Sequence, residues 1–127
     1  FLASADCDAD GSDATCYGTN ASATGDASTA IGNSTSAAAE YSIAIGDGAS
    51  AQQTDWGPGG IAIGPDSTAN GRHTIAIGNA SYANDDQSTA IGSMAEATGH
   101  HSTAVGYRAM TTGAYSRVFG PGRSCLW

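Results

Sequence analysis

An aspartate-rich segment near the N-terminus carries residue types that can bind a metal ion. Residues 6–11 read Asp-Cys-Asp-Ala-Asp-Gly, the pattern that opens a calcium-binding loop, where carboxylates ligate the ion and glycine allows a sharp turn. Such a loop needs an acid at its twelfth position, and Tyr17 stands there instead. The same alternation would place Asp6, Asp8 and Asp10 on one solvated face of a strand. The sequence favours this solvated face and leaves weak calcium binding as the second interpretation; no other cofactor is expected.

The rest of the chain offers little that could perform catalysis. No nucleophile motif, phosphate-binding loop or isolated carboxylate pair occurs, so we expect a protein that is not an enzyme. The chain has no lysine, four arginines and twelve acids, which gives a net charge of −8. This balance argues against a nucleic-acid partner, because phosphate binding needs a basic surface. No apolar run reaches membrane-spanning length, so we expect no membrane insertion by this segment.

These residues belong to a chain that repeats every fourteen residues. A glycine closes each repeat, and the closing glycines are Gly18, Gly32, Gly46, Gly64, Gly78, Gly92, Gly106 and Gly120. They are 14 residues apart everywhere except between Gly46 and Gly64, where the step is 18. A short fixed period predicts a solenoid, because no single repeat can bury its apolar face alone. We expect one domain over residues 1–127, with about nine coils.

Each coil has the pattern of two short strands joined by two turns. If the closing glycine is position 14, a second glycine recurs at position 7, with Ala39 and Asp85 as exceptions. Small residues at positions 3 and 5 alternate with variable residues at positions 2, 4 and 6, which predicts a strand with one solvated face. In the second strand, serine and alanine at positions 10 and 12 face the interior. The sequence therefore predicts an all-β solenoid with a thin core.

The opposite face of the second strand forms a continuous apolar ladder. Positions 11 and 13 carry threonine, isoleucine or a substitute, and each large residue contributes about 1.5–3 kcal/mol on burial. Such a ridge needs a partner surface, and a symmetric homo-oligomer is the simplest partner. The candidate interface residues are Ile31, Ile43, Ile45, Ile61, Ile63, Ile75, Ile77, Ile91, Val105 and Phe119.

The cysteines fit the same coil geometry. Cys7 falls at position 3 of the first coil and Cys16 at position 12, and these positions are nearly symmetric about the turn at position 7. We therefore expect a Cys7–Cys16 disulfide across the coil interior. Cys125, at position 5 of the last coil, is expected either as a buried thiol or as a partner for another chain or a missing segment.

Several departures from the repeat are candidates for recognition. Four extra residues near 52–56 display Trp56, either as a tolerated insertion in a turn or as an aromatic anchor for binding. His73 and His101 share position 9 but lie two coils apart, too far for one metal ion. We expect surface or interface histidines there; a ring of three symmetry-related His101 side chains around an ion is the alternative. Three asparagines match the glycosylation pattern, which also arises by chance in a chain so rich in serine and threonine: Asn20, Asn33 and Asn79.

The repeats resemble the head repeats of trimeric autotransporter adhesins. The resemblance rests on segments such as Ser42-Ile43-Ala44-Ile45-Gly46 and Ser88-Thr89-Ala90-Ile91-Gly92, each followed by alternating alanines, and it covers essentially the whole chain. It implies a left-handed parallel β-roll and a homotrimer of three rolls packed side by side. It also implies an extracellular location on a bacterial cell surface. The implied partners are host matrix or host-cell components, or other copies of the head in autoagglutination.

The leading hypothesis is therefore a non-enzymatic adhesin head that binds through its outer strand faces. The alternative is a structural subunit of an extracellular filament or phage fibre, in which the ends of the solenoid stack. No neck, stalk heptads or anchor strands follow the repeats, so we expect only a head segment. The candidate ligand contacts are Trp56, Asp66, Tyr82, Met94, Glu96, Arg108 and Met110.

Overall fold

The two strands of each repeat enter two separate parallel sheets. The computed structural model describes residues 7–52 and 57–125. The odd-numbered strands have three residues each: β1 (Thr15–Tyr17), β3 (Thr29–Ile31), β5 (Ile43–Ile45), β7 (Ile61–Ile63), β9 (Ile75–Ile77), β11 (Thr89–Ile91), β13 (Thr103–Val105) and β15 (Arg117–Phe119). The even-numbered strands have two: β2 (Ser22–Ala23), β4 (Ser36–Ala37), β6 (Ser50–Ala51), β8 (Thr68–Ala69), β10 (Tyr82–Ala83), β12 (Glu96–Ala97), β14 (Met110–Thr111) and β16 (Ser124–Cys125).

Strands of the same type stack coil upon coil, which makes the chain a parallel β-solenoid. The first sheet has the order β1-β3-β5-β7-β9-β11-β13-β15, and the second runs from β2 to β16 in the same manner. Equivalent residues of successive coils are paired, for example Ala76 with Ala90 and Ala90 with Ala104. The all-β solenoid of 14-residue coils is thus confirmed. The described residues form about eight coils rather than nine, because the incomplete coils at the two ends add no further pair of strands.

A thin layer of small side chains lies between the two sheets. Among the described residues, eighteen small ones make up the buried cluster, nearly all of them alanines at positions 3, 5 and 12. The largest fully buried side chains are threonines and serines, such as Thr35 and Thr74. Several of the buried hydroxyls donate hydrogen bonds to the carbonyl three residues earlier, as Ser42 does to Ala39 at 2.6 Å and Thr74 to Gly71 at 2.8 Å. The sheets approach closely because larger side chains are kept out of this layer.

The turns differ from the prediction. The first strand of each coil covers only positions 4 and 5, not positions 2 to 6. Position 2 lies in the turn and has a positive φ even where the residue is not glycine, as at Met94 (58°) and Arg108 (55°). Position 9, which lies in the other turn of the coil, also has a positive φ, as at Tyr41 (58°). Backbone hydrogen bonds between successive coils fix this conformation; for example, the Met94 amide donates to the Asn79 carbonyl at 2.8 Å.

The 18-residue step is absorbed between β6 and β7. Ser50 pairs with Thr68 and Ile45 with Ile63, so both sheets keep their register across the longer coil. The regular hydrogen bonding between successive coils resumes at Gly59, whose amide donates to the Glu40 carbonyl at 2.8 Å. The extra residues therefore leave the core and both strand faces unchanged. Trp56 lies outside the described residues.

Candidate functional site

The outer face of the odd-numbered strands is the most apolar surface of the solenoid. Positions 11 and 13 point away from the core, so each of these strands alternates an exposed or half-buried residue with a buried one. The middle strands β5, β7 and β9 present isoleucine at both positions, and β11 and β13 present threonine followed by isoleucine or valine. Towards the two ends the row is more exposed, with Tyr17 at 54%, Ile31 at 37% and Phe119 at 64%. All ten candidate interface residues lie on this one face.

The outer face of the even-numbered strands is polar and carries one outward residue per coil. From β2 to β8 this residue is serine or threonine, and from β10 to β14 it is Tyr82, Glu96 and Met110 in turn. The Tyr82 hydroxyl donates to the Asn84 side chain at 2.7 Å, which anchors the ring along the strand. Three of the candidate ligand contacts therefore lie in adjacent coils on this face.

The other three described candidates lie on a different surface. Asp66, Met94 and Arg108 occupy position 2, in the turns that follow the odd-numbered strands; we call this row of turns the first edge. All three side chains are exposed. The prediction that they share a strand face with Tyr82 was wrong, because coil-to-coil hydrogen bonds hold position 2 in a left-handed turn and the even-numbered strand begins only at position 4.

The turns that follow the even-numbered strands, which we call the second edge, carry the ionic and aromatic contacts. Arg72 forms an ion pair with Asp86 one coil away, and its Nε donates to the Asp86 carboxylate at 2.8 Å. The hydrogen bond from the Arg72 side chain, helped by the one from its backbone amide, holds the pKa of Asp86 below its ordinary value of 3.8. His100 Nδ1 lies 3.6 Å from the Asp85 carboxylate. The contacts tie successive coils together along this edge.

Sequence reasoning missed an aromatic stack on the second edge. The rings of His101 and Tyr115 are stacked, with centroids 5.0 Å apart and planes 6° from parallel. The ring of His100 meets that of His101 edge-on at 4.2 Å. Since His101 and Tyr115 share position 9 in adjacent coils, the 14-residue period itself was the signal. His73, at the same position two coils earlier, is exposed.

The first coil contains the disulfide and two of the three aspartates. Cys7 and Cys16 are joined by a disulfide, with their α-carbons 6.0 Å apart. Asp8 and Asp10 are exposed, and Asp6 lies outside the described residues. Within residues 7–52 and 57–125, no three His, Cys, Asp or Glu side chains are grouped so that they could hold a metal ion. Cys125 is half-buried in β16, and the amide groups of Asn20, Asn33 and Asn79 are exposed on the first edge.

The chain matches a known family of repeats over most of its length. In the described part of the chain, no helix is long and apolar enough to span a membrane. No curated protein is similar enough to count as a match. The family model of the YadA head domain repeat, which holds two copies of the repeat, matches residues 9–35, 23–49, 57–81, 69–95 and 97–116. These matches follow the coils described above and cover well over half of the residues. The chain therefore belongs to the YadA head domain repeat family.

Proposed function

We propose that this chain is the binding head of a bacterial surface adhesin and that three copies associate through the outer face of the odd-numbered strands. The family is one of adhesin heads exposed on the cell surface, and head repeats of this family imply a trimer. The observation that carries the proposal for this chain is the unbroken row of large apolar residues at position 13, which isoleucines at position 11 widen in β5, β7 and β9. No comparable row occurs on the described part of the even-numbered strands, whose outward residues are mostly polar.

The size of the apolar face supports association. Seven steps of about 4.8 Å separate β1 from β15, so the face is about 34 Å long, and its two rows are about 7 Å apart. With side chains included, this is a surface of a few hundred Å² per chain, at the limit of what soluble monomers leave exposed. The isoleucines of β5, β7 and β9 form its flattest and most apolar part. Packing this part around a shared axis would remove the largest apolar patch from water.

The remaining surfaces would serve adhesion. In such a trimer the outer face of the even-numbered strands points outward and repeats a similar array of side chains three times. Host matrix or cell-surface components of repetitive structure can engage such arrays at several points, so that weak single contacts add up. Tyr82, Glu96 and Met110 are the contacts that this face offers, because they replace the small hydroxyl residues of the other coils. We also propose Trp56, on the insertion, as an aromatic anchor for the same partners.

The test is the assembly mass of matched variants. Ile77→Asp places a charge at the centre of the apolar face, while Thr68→Asp places one in β8, on the outer face of the other sheet, at a similarly half-buried position. We expect a trimer for the parent protein and for Thr68→Asp, and a folded monomer for Ile77→Asp, by light scattering with circular dichroism as the folding control. Binding of the trimer to immobilised matrix proteins should exceed that of the monomer. A parent protein that stays monomeric at all concentrations would refute the proposal, and growth into long fibres would favour a structural filament.

A further inference from the structure

The outer face of the even-numbered strands changes its chemistry in three adjacent coils. Positions 4 and 6 both face outward here, because the residue between them at position 5 is buried. In the coils of β2 and β4 these positions hold serine, threonine or alanine. In the coils of β8, β10 and β12 they also hold asparagine, tyrosine and glutamate. We call these six residues the polar patch: Thr68, Asn70, Tyr82, Asn84, Glu96 and Thr98.

Hydrogen bonds fix the centre of the polar patch. The Tyr82 hydroxyl donates to Asn84 Oδ1 at 2.7 Å, and Asn70 Nδ2 in the neighbouring coil donates to the same oxygen at 3.3 Å. Tyr82 and Asn84 are two residues apart on one strand, a distance of about 7 Å, so the tyrosine ring runs along the strand instead of standing up from the sheet. The Asn84 amide is therefore held in one orientation, with its nitrogen turned away from both partners.

The polar patch keeps donors and acceptors that the fold does not use. Among residues 7–52 and 57–125, Asn84 Nδ2, Asn70 Oδ1 and the Glu96 carboxylate have no hydrogen-bond or ion-pair partner. The Thr98 hydroxyl donates to the Thr111 carbonyl at 3.2 Å, which leaves its oxygen able to accept. Successive coils are about 4.8 Å apart, so these groups form a close array of one strong donor among several acceptors.

The charges around the polar patch disfavour an anionic ligand. Arg72 borders the patch on the second edge, and its guanidinium is bound to the Asp86 carboxylate. The Glu96 carboxylate lies within the patch and the exposed Asp85 beside it, in a chain of net charge −8. A phosphate or sulfate group would be repelled there. Apart from Glu96, the patch offers amides, hydroxyls and one aromatic ring, so it suits a ligand that is polar and uncharged.

We infer that the polar patch binds an uncharged oligosaccharide that lies along the solenoid, across β8, β10 and β12. Each sugar hydroxyl both donates and accepts, so neighbouring hydroxyls match the Asn84 amide nitrogen and the acceptors of Asn70 and Glu96. The apolar C–H groups of a sugar ring can pack on the half-buried ring of Tyr82. The hydrogen bonds that already hold Tyr82 and Asn84 reduce the cost of ordering these side chains on binding.

The inference names the chemical class of the cell-surface component that this outer face would engage. It rests on the proposed function for the cell-surface setting alone, because all six residues of the polar patch belong to one chain. The patch lies on an open sheet face, where a ligand keeps one side in water, so a single contact is weak. Three copies in a trimer would present three such patches to a glycan-covered surface and strengthen the attachment.

Titration of the parent protein with defined probes tests the inference. The neutral probes are cellohexaose, maltohexaose and chitohexaose, heparin is the anionic probe, and a collagen-type peptide represents a protein partner. Saturation-transfer NMR should show binding of at least one neutral probe, with a dissociation constant that changes little between about 50 and 500 mM salt, because no ion pair is involved. Binding of none of the neutral probes, binding that high salt abolishes, or binding of the peptide alone would overturn the inference.

Matched variants at position 6 locate the binding. Asn84→Ala removes the free donor and should raise the dissociation constant about fivefold to tenfold. Thr24→Ala makes a similar truncation in the coil of β2, outside the polar patch, and should leave binding unchanged. Alanine already occupies position 6 at Ala38, so both variants should fold. Equal losses in the two variants, or no loss in Asn84→Ala, would contradict the inference.

A second pair of variants separates the donor from the rest of the network. Asn84→Asp keeps an oxygen for Tyr82 and Asn70 but has no amide nitrogen, so it should weaken binding as much as Asn84→Ala. Thr24→Asp adds the same negative charge outside the polar patch and should have little effect. The assembly mass is measured separately: a trimer that binds matrix proteins and no neutral glycan refutes this inference alone. A monomer that binds the glycan refutes the trimer and keeps the inference.

Discussion

The closing glycine of each coil is required for two reasons, its backbone conformation and the close approach of the next coil. Alanine substitutions can distinguish these two reasons. Gly92 has a φ of +131°, in the region that side chains rarely adopt, and a β-carbon there would stand 2.5 Å from the Gly106 carbonyl oxygen. Gly99, at position 7, meets only the second constraint, because its β-carbon would stand 2.3 Å from the Gly113 oxygen while its φ is not positive. Gly48, at position 2, has a φ of +68° and would meet only the movable Asp66 side chain. Alanine substitutions at the three sites therefore differ in cost.

The magnitudes follow from these contacts. Gly48→Ala should lower the free energy of unfolding by about 1 kcal/mol, since Ala80 adopts the same conformation at the same position. Gly99→Ala should cost about 1–3 kcal/mol, because the next coil must move away from the new methyl group. Gly92→Ala combines backbone strain with overpacking and should cost about 3 kcal/mol or more, which lowers Tm by about 12 °C.

Thermal and urea unfolding monitored by circular dichroism would measure all three variants at one protein concentration, because association also contributes to stability. We expect Gly92→Ala to be the most destabilising of the three variants, Gly99→Ala to be intermediate and Gly48→Ala to be the least destabilising. Equal losses at Gly92 and Gly48 would refute the close approach of successive coils as a cause. Equal losses at Gly92 and Gly99 would refute the conformational part of the argument.

Three further predictions concern the disulfide, the ion pair and the core. Reducing the disulfide of the first coil, whose cysteines are nine residues apart, should lower the free energy of unfolding by about 2–3 kcal/mol, while a Cys7→Ser variant should not respond to reductant. Because the pKa of Asp86 is lower in the folded chain, its pair with Arg72 stabilises the fold above about pH 4 and loses this effect as the pH falls below the ordinary value of 3.8. Asp86→Asn should thus lower Tm slightly at pH 7, by an amount equivalent to about 0.2–1 kcal/mol, and not at pH 2; a constant difference would contradict this. Ala76→Val, at a fully buried site, should cost about 1–3 kcal/mol, against less than about 0.5 kcal/mol for Ala114→Val on the surface.

The core and the register could be predicted from the sequence because both follow from strict periodicity. A residue such as Ala90 recurs every fourteen positions among side chains that alternate in size, so its inward direction was fixed by its neighbours on the strand. The pairing of Ile45 with Ile63 across the longer coil followed from the glycines on either side of it. No long-range information was needed, since each coil contacts the next one in the chain.

The conformation of the turns and the contacts between surface side chains could not be predicted from the periodic pattern. Nothing in the local sequence marks Met94 or Tyr41 for a left-handed conformation, which non-glycine residues adopt at a cost. The requirement comes from the neighbouring coil, whose carbonyl accepts the hydrogen bond of the turn amide. For the same reason Asp66 and Arg108 were placed on a strand face, although they lie on the first edge. The side-chain register along an edge becomes visible only when the coils are stacked.

The backbone ladder of equal steps makes the length of this head adjustable without redesign. Removal of residues 79–92 would join Gly78 to Ser93, and the strands on either side would meet with the same partners in the same order. Such a deletion shortens the solenoid by about 4.8 Å and removes one turn from each of the two edges. Unequal recombination between repeats can thus change the length of the solenoid while keeping what each remaining coil presents.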